Sequence, residues 1–188
     1  MTDRTVRGKT RTSLAIALTC VLLAVGCSQN GADDVDSTLT QEQAQARTVE
    51  VLGRSLSVLP VGARLDVDDP NFPQSSLPTG GFAPCYTDNT IVDGPHRFSA
   101  GYWVVLGGDG SDELEVLLSS WAEWGWTVED DSKDGGNSAT ARTPDQYVVD
   151  ALLSTDGGLS LGGSSPCFAI EAGQTPPRAV APLVIEQR

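Results

Sequence analysis

The side chains that most often carry enzymatic chemistry are few and isolated in this chain of 188 residues. His96 is the single histidine, and it stands beside Pro95 without a Gly-x-Ser-x-Gly nucleophile elbow nearby, so a serine–histidine–acid triad is not indicated. The glycine-rich run 107–110 precedes a predicted helix but lacks the Gly-Lys-Ser/Thr of a phosphate loop. We interpret His96 as an exposed loop residue and 107–110 as a strand-to-helix turn.

Acidic clusters are the main polar feature of the chain and raise the question of calcium binding. The segment starting at Asp130 matches the opening of an EF-hand loop, but its twelfth position is Ala141 rather than glutamate. The segment starting at Asp66 fails in the same way, with Leu77 at position twelve. We expect no bound metal and no cofactor, and a nonstandard calcium site is the open alternative.

The long stretch 61–84 is rich in proline, glycine and aspartate, a composition that predicts a loop. Loops of this length in compact domains are often functional or disordered. Its polar residues form a candidate binding loop, which carries Asp66, Asp68, Asp69 and Asn71.

The N-terminus has the layout of a bacterial secretory signal. Four basic residues lie within 4–11, and a largely apolar run from Leu14 to Val25 follows, which is too short for a good transmembrane helix. Small residues then lead directly to Cys27, an arrangement that resembles the lipobox of bacterial lipoproteins. The resemblance implies cleavage between Gly26 and Cys27 and a diacylglycerol thioether on Cys27, so that acyl chains would hold the mature protein on the membrane. The alternative is an ordinary secretory signal that leaves Cys27 as a thiol.

Cysteine usage favours one disulfide bond. Cys20 lies in the segment to be removed and Cys27 is used by lipid in this interpretation, which leaves Cys85 and Cys167. Two cysteines in an oxidising compartment suggest a disulfide. Free thiols or a metal site are the weaker alternatives, because two isolated cysteines and one histidine cannot complete a zinc site without distant carboxylates.

The excess of acidic residues in the chain argues against nucleic acid as a partner. The formal net charge is −13, and removal of residues 1–26 would take away four basic residues and one acidic residue, leaving about −16. Such a surface does not suit nucleic acid, and it would also be repelled by anionic lipid headgroups. A cationic ligand or a basic partner stays open beside the simpler interpretation of a solvated acidic surface.

Hydrophobic periodicity predicts two helices and several strands. The first helix spans about 41–58 and begins at a capping box formed by Thr40 and Gln43. The second has Asp109 or Ser111 as its cap, carries an apolar stripe and ends at Gly125. Strands are predicted at 64–67, from Cys85 to about 91, and at 97–106, 126–129, 138–143, 146–154 and 159–161.

This order of elements favours an α+β domain with a single antiparallel sheet of about four to six strands, covered on one face by helices and joined by one disulfide. We expect four regions along the chain. They are a signal peptide (1–26), the lipidated cysteine and a flexible tether (27–38), one α+β domain (39–172), and a proline-containing C-terminal tail (173–188) that is loose or draped over the surface.

Three of the four tryptophans, Trp121, Trp124 and Trp126, cluster at the end of the second helix. Trp121 belongs to the apolar stripe of the helix, whereas Trp124 lies off this stripe. We interpret Trp124 as filling the end of the helix–sheet interface, with an exposed contact residue as the alternative.

Several short signatures resemble small surface lipoproteins of mycolic-acid actinobacteria, including the LppA-like group. They are the lipobox at Cys27, Asp68-Asp69-Pro70-Asn71 ahead of Cys85, Trp124-Gly125-Trp126 and Ser165-Pro166-Cys167. The likeness covers roughly residues 60–170. It implies a surface lipoprotein, and many proteins of this kind have no assigned activity.

Together these features predict a noncatalytic lipoprotein on the extracytoplasmic face of the cell membrane. Its expected contacts are the membrane, through the lipid anchor, and an envelope protein, lipid or glycan, through the stretch 66–81 or an exposed sheet face. The alternative is an enzyme or accessory subunit acting on an envelope substrate. That alternative predicts a cleft in which carboxylates with perturbed pKa values converge.

Overall fold

A computed structural model of the chain provides the structure described below. It describes residues 35–78, 80–86, 93–107, 110–131, 137–170 and 181–187. The predicted signal peptide and the proposed lipidation site at Cys27 lie outside the described residues, as does the strand segment expected at 87–91.

Within the described residues the chain forms two helices and ten strands. The helices are α1 (Gln41–Leu56) and α2 (Ser111–Glu123). The strands are β1 (Val35–Asp36), β2 (Arg64–Asp66), β3 (Gly81–Pro84), β4 (His96–Val105), β5 (Thr127–Asp130), β6 (Ser138–Arg142), β7 (Val148–Leu153), β8 (Leu159–Ser164), β9 (Cys167–Phe168) and β10 (Val184–Glu186).

All ten strands belong to one mixed sheet that curves into a half-barrel, and β4 is its central strand. One edge of β4 pairs with β2 and β3, and the other edge pairs with β8 and β9. The strands β5 to β8 form an antiparallel meander that returns to β4, while β1 is parallel to β9. The chain reaches the far edge of the meander through α2, which lies between β4 and β5 in sequence.

Alternation along the strands separates an apolar inner face from a polar outer face. In β4 every second residue from His96 to Val104 is buried, and Leu159, Leu161 and Gly163 do the same in β8. This period of two is expected for strands with one covered face. Both helices pack on the inner face, where α1 contacts β4 and β8, and α2 contacts β5 and β7.

The predicted start of α1 is confirmed. Thr40 accepts a hydrogen bond from the Gln43 backbone N–H, and the Gln43 side chain accepts one from the Thr40 backbone N–H. These two bonds satisfy backbone donors that a helix start leaves without a partner. The predicted end of α2 at Gly125 is also confirmed, because Gly125 has a φ of 74°, a left-handed conformation that glycine adopts without strain.

The expected fold class is wrong. We predicted an α+β domain with a single antiparallel sheet of four to six strands covered by helices, whereas the structure is mostly sheet, with ten strands in a mixed arrangement. The difference arises mainly from β1, β3, β9 and β10, which are two to four residues long. Runs this short cannot show a period-two pattern, and they are strands only because distant residues pair with them.

The predicted disulfide bond is confirmed. Cys85 and Cys167 are joined with their Cα atoms 6.2 Å apart, and both residues are buried. The bond links the end of β3 to β9, on either side of the start of β4. It closes a loop of 82 residues, and cross-links that close long loops restrict the unfolded chain most strongly.

The regions expected to be tether and tail both contribute to the sheet. Val35 and Asp36 of the predicted tether pair with β9. Of the predicted tail, residues 184–186 pair with β2, and Ala181 is 2% exposed. Tyr102 holds this C-terminal segment against β4, because its hydroxyl donates a hydrogen bond to the carbonyl oxygen of Pro182 at 2.9 Å.

Gln187 connects the C-terminal segment to the end of α1. Its side-chain amide donates hydrogen bonds to the carbonyl oxygens of Leu56 and Leu59, and its side-chain oxygen accepts one from the backbone N–H of Gly62. Carbonyl groups at a helix C-terminus lack partners within the helix. Gln187 therefore serves as a C-terminal cap supplied from far along the chain.

We expect Gln187→Ala to lower the free energy of unfolding by about 1–3 kcal/mol, because it removes three hydrogen bonds, two of them to partly buried carbonyl groups. Urea unfolding monitored by tryptophan fluorescence measures the change. The control is Glu186→Ala at the adjacent position, which is exposed and ends β10, and it should change stability by less than about 0.5 kcal/mol. Equal losses in the two variants would contradict the capping role of Gln187.

Candidate functional site

The outer face of the sheet is polar and built largely from small residues. Because strand residues alternate between faces, the positions between the core residues of β4, β6, β7 and β8 point outward together. These outward positions are Arg97, Ser99, Gly101, Trp103, Ser138, Thr140, Arg142, Val148, Asp150, Leu152, Ser160, Gly162 and Ser164. Both helices contribute their buried apolar residues to the core on the opposite, inner face.

A cleft of about 580 Å³ lies at one end of this face, and we call it the outer-face cleft. Its lining includes Arg142, Val148, Asp150 and Ser164 of the sheet, together with Arg97 of β4. The rest of the lining comes from three further segments, which are β1, the β6–β7 turn and the run 164–167 between β8 and β9. Residues far apart in sequence thus meet in one concave site, the usual form of a small-ligand site.

The β6–β7 turn carries Asp145 and Gln146 into the cleft. Gln146 has a φ of 68°, which is the left-handed region that favours glycine. The turn is held by a hydrogen bond from the Gln146 backbone N–H to the Thr143 carbonyl oxygen and by one from the Tyr147 backbone N–H to the Thr143 hydroxyl oxygen. A non-glycine residue in this conformation costs roughly 1–2 kcal/mol, so the surrounding bonds impose the position of Gln146.

A second cavity of about 330 Å³ adjoins the cleft and shares Asp36, Asp145 and Pro166 with it. Its distinguishing residue is Arg47 of α1, whose guanidinium lies 2.9 Å from Asp145 and 2.8 Å from Glu50. The same guanidinium lies 6.0 Å from the ring centre of Tyr147. The pair of Arg47 and Asp145 therefore ties the β6–β7 turn to α1.

Two carboxylates of the cleft have lowered pKa values. Burial would raise the pKa of Asp145, but hydrogen bonds from Arg47 and Thr143 outweigh it and lower that pKa below its ordinary value. Hydrogen bonds from the side chain and backbone of Thr38 lower the pKa of Asp36. Both groups are consequently charged at neutral pH and act as hydrogen-bond acceptors.

Arg142 differs from the other arginines around the site. It is exposed at the end of β6, and its side chain has no hydrogen bond or ion pair among the residues that the structure describes. By contrast, Arg47 is paired with two carboxylates and Arg54 lies 4.1 Å from the ring centre of Trp124. Arg142 thus presents an available guanidinium to the cleft in a strongly acidic protein.

Two aspartates of the predicted binding loop contact groups close to them in the chain. Asp66 lies 3.2 Å from the Arg64 guanidinium and accepts a hydrogen bond from the Asp68 backbone N–H. Asp69 is 4% exposed and accepts one from the Asn71 backbone N–H at 2.7 Å. Both aspartates therefore stabilise turns, which is a common role of aspartate in loops.

Asp69 and Asn71 also line a separate cavity of about 410 Å³ with Asp156 and Gly157. Next to it, Phe72 stacks on Trp103 at 5.3 Å between ring centres, and the Trp103 indole N–H donates a hydrogen bond to the Ser75 carbonyl oxygen. The loop is thus packed over the far end of the outer face. The predicted loop residues do not line the outer-face cleft.

The structure corrects the interpretation of His96 and supports that of Trp124. His96 is 7% exposed rather than an exposed loop residue, and its Nδ1 donates a hydrogen bond to the Gly94 carbonyl oxygen at 2.8 Å. Trp124 is half-buried, packs edge-on to Trp126 and is covered by Arg54. No cluster of three or more metal-ligating side chains occurs among the described residues.

Comparisons with protein-family models, with curated proteins and with solved structures find no match. In the described ranges, no helix is long and apolar enough to span a membrane.

The ion pair of Arg47 and Asp145 predicts a pH-dependent contribution to stability. Because the folded-state pKa of Asp145 is lowered, its carboxylate stabilises the fold at neutral pH, and this contribution is lost as the pH falls through the folded pKa, below about 4. We expect Asp145→Asn to lower the free energy of unfolding by about 0.5 kcal/mol at pH 7, a value typical of an exposed pair.

Denaturant unfolding at pH 7 and below pH 3 measures this difference. The gap between wild type and variant should close at low pH, and a double variant with Arg47→Gln should lose little more than either single variant. A gap that persists or widens in acid would contradict the assigned pair.

Proposed function

We propose that the protein is a lipid-anchored extracytoplasmic lipoprotein that acts as a noncatalytic binding module, with the outer-face cleft as its ligand site. The observation that carries this proposal is the convergence of four chain segments around a cleft lined by charged and hydroxyl side chains. Membrane attachment is inferred from the lipobox at Cys27. The resemblance to small actinobacterial surface lipoproteins is part of the same proposal.

The electrostatics of the cleft favour binding over acid–base catalysis. A general acid that works near neutral pH needs a raised carboxyl pKa, whereas the pKa values of Asp36 and Asp145 are lowered. Carboxylates that remain charged and are aimed at a cleft suit recognition of a polar ligand. This is why we prefer a binding module to an enzyme or accessory subunit acting on an envelope substrate.

The confirmed disulfide bond supports an extracytoplasmic location. Structural disulfides persist in oxidising compartments and are rare in the cytosol of mesophiles. The bond between Cys85 and Cys167 also holds β9 in place, and β9 pairs with β1. Because β1 is part of the cleft lining, the disulfide supports the wall of the site that leads toward the predicted anchor.

Cys27→Ala tests the anchor. We expect this variant to lose incorporation of an alkyne-labelled fatty acid and to move from the membrane fraction to the medium, because the thioether carries the acyl chains. The matched control is Cys20→Ala, which removes a cysteine from the predicted signal segment and should keep both labelling and membrane attachment. Fatty-acid labelling that survives Cys27→Ala would overturn the lipoprotein proposal.

A further inference from the structure

The outer-face cleft presents both signs of charge. Asp36, Asp145 and Asp150 supply carboxylates, and Arg97 and Arg142 supply guanidinium groups. Asp145 is already paired with Arg47 from the neighbouring cavity. Arg142 and Asp150 therefore leave a cationic and an anionic group available to a ligand in the same cleft.

The sheet register places Arg142 and Asp150 near each other on the outer face. Arg142 lies opposite Val148, and Asp150 is two residues further along the same strand. Such diagonal positions have Cα atoms about 7–8 Å apart, a separation that long side chains span. Asp150 accepts one hydrogen bond, from the Thr140 hydroxyl to Oδ1 at 2.8 Å, and Arg142 carries a donor fork that matches phosphate oxygens.

These charges disfavour a ligand whose charges are all of one sign. Asp36 and Asp150 would repel an anion, and the net charge of −13 adds to this repulsion. Arg97 and Arg142 would repel a simple cation. A zwitterion satisfies both signs of charge, because its ammonium donates to carboxylates such as Asp150 while its phosphate accepts from Arg142.

The cleft also lies close to the predicted anchor along the chain. Val35 lines it and follows Cys27 by eight residues, and even a fully extended chain of that length reaches at most about 29 Å. A cleft tethered within this distance of a bilayer meets lipid headgroups at high effective concentration.

We propose that the outer-face cleft binds the zwitterionic phosphoethanolamine headgroup of a membrane phospholipid, with Arg142 contacting the phosphate and Asp150 the ammonium. This inference rests on the proposed binding function of the cleft. Phosphatidylcholine is a poorer fit, because its quaternary ammonium has no N–H to donate to a carboxylate. Anionic lipids without an ammonium are disfavoured by the carboxylates of the cleft.

Thermal unfolding of the full chain in detergent micelles tests the recognition chemistry. For a Kd of about 1 mM, O-phosphoethanolamine at about 10 mM should raise Tm by about 3–6 °C. An equimolar mixture of inorganic phosphate and ethanolamine should raise Tm by less than about half as much, because its two charges are not joined in one molecule. An equal response to the mixture, or no response to O-phosphoethanolamine, would overturn the zwitterion proposal.

Four variants test whether the outer-face cleft is the site of this shift. Arg142→Gln and Asp150→Asn should each reduce the O-phosphoethanolamine shift at least twofold. Asp68→Asn, an exposed aspartate outside the cleft lining, should retain it. The Tm without ligand shows whether each variant is folded. Arg142→Lys keeps the charge but not the bidentate fork, so it should recover part of the shift. A full shift in Arg142→Gln would overturn the assignment to this cleft.

Reconstitution of the full chain distinguishes a lipid source from a soluble one. Vesicles of phosphatidylcholine containing phosphatidylethanolamine should give a higher Tm than phosphatidylcholine alone, and Arg142→Gln should remove the difference. A response to soluble O-phosphoethanolamine without any effect of phosphatidylethanolamine would overturn the lipid source. Failure of the anchor is separately visible, because Cys27→Ala labelling tests it without reference to the cleft.

Discussion

The close approach of α1 to β8 is the constraint on which the rest of the structure depends. A Cβ atom at Gly163 would lie 2.9 Å from Leu52 Cγ and 3.0 Å from Thr48 Cγ2, which is closer than such atoms pack. Only glycine permits this contact, and it allows Leu52 to be completely buried against the sheet. The apolar stripe of α1 therefore packs closely on the part of the inner face that β4 and β8 form.

Covering the inner face determines what the outer face can do. Since β4 and its neighbours present alternate residues to opposite sides, each inward apolar residue requires an outward neighbour, and these outward positions are mainly small or polar. The loop around Phe72 packs over one end of the outer face, through Trp103. The other end is bordered by β1 and the β6–β7 turn, and there the cleft forms.

The sequence was sufficient to predict the elements that short-range interactions determine. The capping box at Thr40 and the left-handed glycine at position 125 are short-range signals, and both are present as predicted. The strand β4 was recognisable because ten consecutive residues lie in it. The short strands were not recognisable: β1 and β9 have two residues each, and their pairing joins segments more than a hundred residues apart.

The site was harder to predict than the fold because its residues come from separated segments. The segment from Asp66 to Asn71 is predicted to be a binding loop, because aspartate and asparagine side chains suit ligands. Aspartate also stabilises turns, and this is the role of Asp66 and Asp69 in the structure. Arg142 and Asp150 occupy alternating strand positions. The sequence feature that could have indicated the cleft is Arg142, an arginine at an outward strand position of a strongly acidic chain.

The most direct test of the outer-face cleft as the ligand site is NMR chemical-shift mapping of the full chain in micelles during titration with O-phosphoethanolamine. We expect the largest amide shifts on Arg142, Asp150 and Ser164, which line the cleft from three strands. Largest shifts on Asp69, Asn71 and Phe72, which line the separate cavity at the opposite end of the sheet, would contradict the outer-face cleft as the ligand site.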